Sequence, residues 1–194
     1  MLIVFIILAI VTTAIWFKSQ NTAQQLNNPT PWPRLGEIVF IHNQVPIYSN
    51  GTEVYKSYGK HYSADGYYYG RKWQCVEFVK RYYYDSHNHR MPNVWGHAKD
   101  FFDTKTAHGT VNSDRGMLQF NNGSNEKPAV NDLLVWNSGP YGHVAIISQV
   151  NEDSITLVQQ NIRNAAEAEI ELSNQGSIYS INGTTPPAGW LRLP

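Results

Sequence analysis

An amphipathic segment, followed much later by a run of short apolar segments, most constrains what this chain of 194 residues can fold into. From Trp73, apolar side chains recur at offsets of three and four, which predicts a helix from about Cys75 to Tyr84 or Asp85. The last third contains β-branched and aromatic runs between Gly, Pro, Asn and Asp, which predict strands. These runs are residues 132–137, 142–150, 154–161 and 189–193. An early helix and a late group of strands predict an α+β fold with an antiparallel sheet.

The remaining segments carry weaker patterns. Two apolar runs, 36–42 and 45–48, lie on either side of a short polar turn and predict a hairpin. The tyrosine-rich stretch 54–70 is aperiodic and predicts a loop, and a short helix is expected over 97–102. The tract 104–127 is rich in Asn and Gly, so no regular structure is predicted there.

The N-terminus differs in composition from the rest of the chain. Residues from Leu2 to Phe17 carry no charge, and as a helix they would span ~24 Å, against a hydrocarbon core of ~30 Å. We therefore predict a signal anchor or signal peptide at 1–17, a polar linker at 18–34 and a folded domain at 35–194. This predicts a membrane-anchored or exported protein of the bacterial periplasm or cell envelope. A cytoplasm-facing anchor is left open, because Lys18 gives only a faint orientation signal.

Charge and composition exclude several classes of protein. The chain has 15 Lys+Arg and 15 Asp+Glu, and 42% of its residues are hydrophobic. The absence of net charge argues against a general nucleic-acid binder, and the apolar content argues against intrinsic disorder. No nucleic-acid partner is expected, and a monomer is predicted.

Cys75 is the single cysteine, which excludes an intramolecular disulfide and a multi-cysteine zinc site. At the start of a helix, free N–H groups and the helix dipole favour the thiolate, so a lowered thiol pKa is expected. Acyl-transfer enzymes pair such a thiolate with a histidine. His143 is the best partner, because it follows Gly142 and opens an apolar strand. On spacing alone, a packed cysteine and a structural histidine remain the alternative. His87 and His89 have no third ligand at suitable spacing, so no metal site is predicted.

Two motifs together resemble a known family. The segment Gly70–Arg81 (GRKWQCVEFVKR) and the later segment GHVAIISQ at 142–149 resemble CHAP-type cysteine/histidine-dependent amidohydrolase/peptidase domains. Within that family, they resemble the amidase half of bifunctional glutathionylspermidine synthetase/amidase, over about residues 35–193. The resemblance implies a papain-like fold, with the nucleophile Cys75 at the N-terminus of a helix packed on an antiparallel sheet. It also implies that His143 is the general base and acid and that no cofactor is needed.

The sequence departs from this family at the residue that orients the histidine. The family places an acidic residue there, whereas this chain has Gln159, which can accept the imidazole N–H but adds no negative charge. Residues alternate along a strand, so Asn161 shares the face of Gln159 and is the second choice of orienting residue, while Gln160 takes the other face.

Two further sets of residues are expected to contact the substrate. The backbone N–H of Cys75 is expected to be one oxyanion donor, and the side-chain amide of Gln74 the second. The family's paired arginines appear here as Lys80 and Arg81, which would grip a substrate carboxylate; the alternative is that they form a solvated basic face of the helix.

Three functions follow. The first is an amidase that cleaves the glycyl–spermidine amide of glutathionylspermidine, a small peptide-amide substrate. The second is a peptidoglycan amidase or endopeptidase that acts on cell-wall peptide, which the exported-looking N-terminus favours. The third is an inactive CHAP-like binding module, which Gln159 favours.

Overall fold

The computed structural model describes residues 32–163 and 165–194. The chain divides into two units, Met1–Trp32 and Pro33–Pro194, and Trp32 is the one residue of the first unit that is described. The predicted membrane segment 1–17 and almost all of the predicted linker 18–34 thus lie outside the described residues, and both stay predictions. Within the described residues, no helix is long and apolar enough to cross a membrane.

The helix α1 (Cys75–His87) begins at the predicted residue and ends slightly later than predicted. Its end is set by Asn88, whose left-handed backbone (φ 50°) lets the next N–H groups return to the carbonyls of the last turn. Phe78 and Val79 are fully buried and belong to the main hydrophobic core. The spacing of three and four residues places these side chains on the face that packs against the sheet.

The sheets of the described residues are antiparallel, as predicted. The early hairpin consists of β1 (Ile38–His42) and β2 (Val45–Tyr48), and its turn residues Asn43 and Gln44 both have positive φ, as in type I′ turns. The main sheet has the order β11-β10-β9-β8-β7-β12-β6-β5. Its strands are β5 (Thr110–Asn112), β6 (Met117–Asn121), β7 (Leu133–Trp136), β8 (His143–Val150), β9 (Ser154–Val158), β10 (Glu167–Gln175), β11 (Ile178–Ile181) and β12 (Gly189–Arg192). Helix α1 packs on β8 near the centre of this sheet.

Several segments without a clear pattern nevertheless form strands. The predicted loop 54–70 contains β3 (Lys60–Tyr62) and most of β4 (Tyr68–Arg71), and the tract 104–127 contains β5 and β6. Strand β6 lies between β5 and β12, so hydrogen bonds and burial from neighbouring strands outweigh its weak local pattern. Strands β10 and β11 were not predicted either. The expected helix over 97–102 is a 3₁₀ helix, Ala98–Phe101.

Candidate functional site

Cys75 lies at the junction of α1 and the main sheet. It is the first residue of α1 and is 9% exposed. Backbone N–H groups of Val144, Val76 and Cys75 itself lie close enough to the sulfur to favour its thiolate. Because Val144 directly follows His143, the fold brings the start of the helix to the start of β8, although these segments are far apart in sequence.

His143 is held by the neutral side chain of Gln159. Its Nε2 lies 2.9 Å from Gln159 Oε1, and since an amide oxygen only accepts, Nε2 carries the proton. In this tautomer the lone pair is on Nδ1, and Nδ1 can therefore accept a proton as a general base. His143 is also paired with Trp136 across β7 and β8, with 5.7 Å between the ring centroids.

Burial dominates the protonation of both groups. It raises the pKa of the Cys75 thiol to about 11, although the three backbone N–H groups act in the opposite direction. Burial also lowers the pKa of His143 to about 4, against the opposing effect of its hydrogen bond with Gln159. The expectation of a lowered thiol pKa is therefore wrong for this structure. Thiol and imidazole are both neutral at neutral pH, because desolvation outweighs the helix N-terminus and Gln159 supplies no charge.

Gly142 sets the position of His143. It has a φ of 72°, and a Cβ atom there would lie 2.4 Å from the carbonyl oxygen of Trp136 and 2.6 Å from the backbone nitrogen of Lys99. Both neighbours are backbone atoms, and Lys99 is further fixed by its N–H bond to the carbonyl of Tyr141. Only glycine fits between them.

Gly142→Ala is expected to destabilise the fold and to displace His143. The positive φ and the backbone clash should lower the free energy of unfolding by about 2–4 kcal/mol, which denaturant unfolding measures. Gly139→Ala is a matched control, because Gly139 has a similar φ of 74° but no atom within 4 Å of a Cβ. Equal losses in the two variants would contradict the role of the close approach at Gly142.

The structure does not leave Gln74 available as an oxyanion donor. Its Nε2 donates to the carbonyls of Val54 (3.3 Å) and Lys56 (2.8 Å), and its Oε1 accepts from Asn161 Nδ2 (2.8 Å). Both amide hydrogens are thus committed to the backbone of residues 54–56, so the prediction that Gln74 is an oxyanion donor is wrong. It holds a neighbouring loop to the start of α1 instead.

The predicted basic grip of Lys80 and Arg81 is also wrong. Lys80 is fully buried, and its Nζ donates to the carbonyls of Tyr68 and Val94, while burial lowers its pKa to about 7. Arg81 is 4% exposed and pairs with Glu77, with 2.6 Å between Nε and Oε1. Both side chains lie on packed faces of α1, so neither can reach a substrate carboxylate. The sequence does indicate this ion pair, because Glu77 lies one helical turn before Arg81.

Asn161 does not take the place of Gln159 as orienting residue. Strand β9 ends at Val158, and the left-handed backbone of Asn161 (φ 67°) interrupts the alternation assumed from the sequence. Asn161 therefore donates to the side chain of Gln74, whereas Gln159 reaches His143. Gln160 turns the other way, towards α1, where it bonds Glu77 (2.7 Å). The sequence predicts no function for Gln160.

A groove of about 350 Å³ adjoins His143 and Gln159. Its lining is mostly apolar, with no Asp, Glu, Lys or Arg. The lining residues are Trp136, Ser138, Gly142, His143, Leu157, Gln159, Ile162, Ala168, Ile170 and Thr185. Within residues 32–163 and 165–194, no three His, Cys, Asp or Glu side chains are grouped to hold a metal ion.

Comparison with known families identifies the fold. The CHAP domain matches residues 65–161, which include Cys75, His143 and Gln159. The chain belongs to the CHAP domain family. This papain-like family accounts for a helix packed on an antiparallel sheet, as the resemblance implied, and membership confirms that resemblance.

The curated relatives that this chain matches are much longer than the chain itself. The bifunctional glutathionylspermidine synthetase/amidase of Escherichia coli (strain K12) is 31% identical over an alignment of 153 positions, which covers 71% of this chain and 24% of that protein. The trypanothione synthetase of Crithidia fasciculata is 27% identical over an alignment of 194 positions, which covers 91% of this chain and 29% of that protein. The chain thus spans about a quarter of the length of these relatives. The CHAP domain and this similarity support a hydrolase that acts on amide bonds.

Proposed function

We propose that the protein is a thiol amidohydrolase in which Cys75 is the nucleophile and His143 the general base and acid. The observation that supports this most is the placement of Cys75 at the start of α1, beside the strand that begins with His143 in a fixed tautomer. As the sulfur attacks the amide carbonyl, Nδ1 of His143 takes the thiol proton. His143 then gives this proton to the departing amine, and an acyl-enzyme on Cys75 remains.

Water completes the cycle. His143 takes a proton from the attacking water, the C–S bond breaks, and the proton returns to the Cys75 sulfur, so the products are a free acid and a free amine. The tetrahedral oxyanion needs hydrogen-bond donors at both stages. Since Gln74 is committed elsewhere, the backbone N–H of Cys75 at the start of α1 is the donor that this chain offers.

We propose a glutathionylspermidine-type amide as the substrate. The support comes from the Escherichia coli relative, whose name includes glutathionylspermidine and amidase, and from the further similarity to a glutathionylspermidine synthase of Crithidia fasciculata, 33% identical over 101 residues. That alignment covers 47% of this chain and 14% of that protein. Hydrolysis of the glycyl–spermidine amide would release glutathione and spermidine.

One experiment tests this proposal against its alternatives. The purified full-length chain is incubated with glutathionylspermidine in one reaction and with muropeptides in another, and the products are identified by mass spectrometry. We expect glutathione and spermidine in the first reaction and intact muropeptides in the second. Cleavage of muropeptides alone would replace the proposal with the cell-wall function that the N-terminal segment suggested.

An inactive binding module is an alternative function, and one observation favours it. The thiol and the imidazole are both neutral, and Gln159 cannot stabilise an imidazolium as a carboxylate would. Such a module would bind its ligand without turnover. In the experiment above, both substrates would then remain intact.

A further inference from the structure

Three consecutive residues after β9 join the two halves of the site. Gln159 bonds His143, and Asn161 bonds the side chain of Gln74, the residue before Cys75. Between them, Gln160 bonds the backbone carbonyl of Gln74 (3.0 Å). We propose that Gln160 is a positioning residue, which fixes the sulfur of Cys75 relative to the imidazole of His143; this rests on the proposed thiol amidohydrolase.

Both Nε2 hydrogens and the Oε1 atom of the Gln160 amide have hydrogen-bond partners. The side chain is 1% exposed. Its Oε1 accepts from the backbone N–H of Tyr48 (2.8 Å), and its two Nε2 hydrogens go to the carbonyl of Gln74 and to Glu77 Oε2 (2.7 Å). One amide therefore connects β2, the start of α1 and the segment that holds Gln159. A shorter or apolar side chain cannot make these three connections.

Glu77, which accepts a hydrogen bond from Gln160, is itself held by several other groups. Glu77 is fully buried, and Arg81 donates to it from Nε (2.6 Å) and Nη2 (3.2 Å). His61 Nδ1 lies 2.8 Å from the same carboxylate. Burial alone would raise the pKa of Glu77, but the hydrogen bonds from His61, Arg81 and Gln160 lower it, so the carboxylate is ionised. Hydrogen bonds to a buried, paired carboxylate are stronger than neutral ones, which favours a fixed Gln160.

Loss of these bonds has two opposite consequences for the site. Without Gln160, the end of β9 is no longer tied to the start of α1, so His143 loses its fixed position relative to Cys75 and turnover falls. At the same time water reaches the sulfur, and the burial that raises the pKa of Cys75 is relieved. The thiol should then become easier to alkylate while the enzyme becomes slower. General destabilisation would also expose the thiol and slow turnover, so a matched variant at a buried glutamine away from the site is needed to separate the two causes.

The test compares Gln160→Met, which keeps the length of the side chain, with Gln119→Met in the full-length chain. Gln119 is also a fully buried glutamine, but it bonds Asp103 and Asn112 away from the site. For Gln160→Met we expect kcat to fall at least about tenfold, with KM within about threefold. We also expect the pH midpoint of iodoacetamide alkylation to fall by at least about one unit, which is about a tenfold faster reaction at neutral pH. Neither quantity should change in Gln119→Met.

The outcomes separate this proposal from the proposed function. If the unaltered chain hydrolyses no amide, the proposed function fails, and the alkylation profiles still decide the role of Gln160. A Gln160→Met profile equal to that of the unaltered chain overturns the positioning role, and so does an equal change in Gln119→Met. If Gln160→Met does not fold, Gln160→Ala is measured instead, and failure of both variants to fold makes Gln160 a requirement of the fold rather than a positioning residue.

Discussion

Cys75→Ala is expected to abolish amide hydrolysis, with a loss in kcat of at least about a thousandfold. Without the sulfur no acyl-enzyme forms, and no other cysteine is present in the chain to replace it. The variant should still fold, because cysteine packs here as a small buried side chain and the change removes a single heavy atom. The measurement is product formation by mass spectrometry, with near-ultraviolet circular dichroism as the check of folding.

His108→Ala is the matched control for this prediction. His108 lies outside the groove, and its Nδ1 accepts from the backbone N–H of Asn121. This variant should keep the kcat of the unaltered chain. Full activity in Cys75→Ala would remove the thiol mechanism, and a folded chain that releases no product even when unaltered would support the inactive module.

Gln159→Glu is expected to make the thiol more reactive. A carboxylate at this position would accept the same N–H of His143 and would also stabilise the imidazolium, which raises the pKa of His143 above its present value of about 4. The proton of Cys75 then passes to His143 more readily, so alkylation by iodoacetamide at neutral pH should become at least about tenfold faster for each unit of pKa shift. Turnover should be preserved or increased.

The pH profile gives the sign of this effect. The neutral form of His143 is the base, so activity of the unaltered chain should be lost as the pH falls through about 4. In Gln159→Glu the loss should begin at a higher pH, because the imidazolium persists to a higher pH. Gln159→Met is the control that removes the acceptor without adding charge, and it should lower kcat by about a hundredfold as the tautomer of His143 is released. An unchanged acid limb in Gln159→Glu would contradict the orienting role of this position.

Some helices and strands of the structure were predicted from the sequence, and others were not. Helix α1 and the strands β7, β8, β9 and β12 were predicted, because a buried face leaves its own period in the sequence. Strands β3, β5 and β6 were not, because they are short and their hydrogen bonds come from distant partners. Asn161 departs from the alternation of a strand because its backbone has a positive φ, which the sequence did not indicate.

By itself, the sequence determined the class of the fold, the position of Cys75 at the start of a helix and that of His143 at the start of a strand. These are local properties, set by side-chain period and by residues that end helices and strands. The tertiary structure alone decided which side chains are available to a substrate, because burial is a property of contacts between distant segments. In the tertiary structure Lys80 and Arg81 are buried, and Gln74 is hydrogen-bonded to a loop. Gln160 links the end of β9 to the start of α1. It also decided the protonation of Cys75 and His143, since desolvation depends on what surrounds a group.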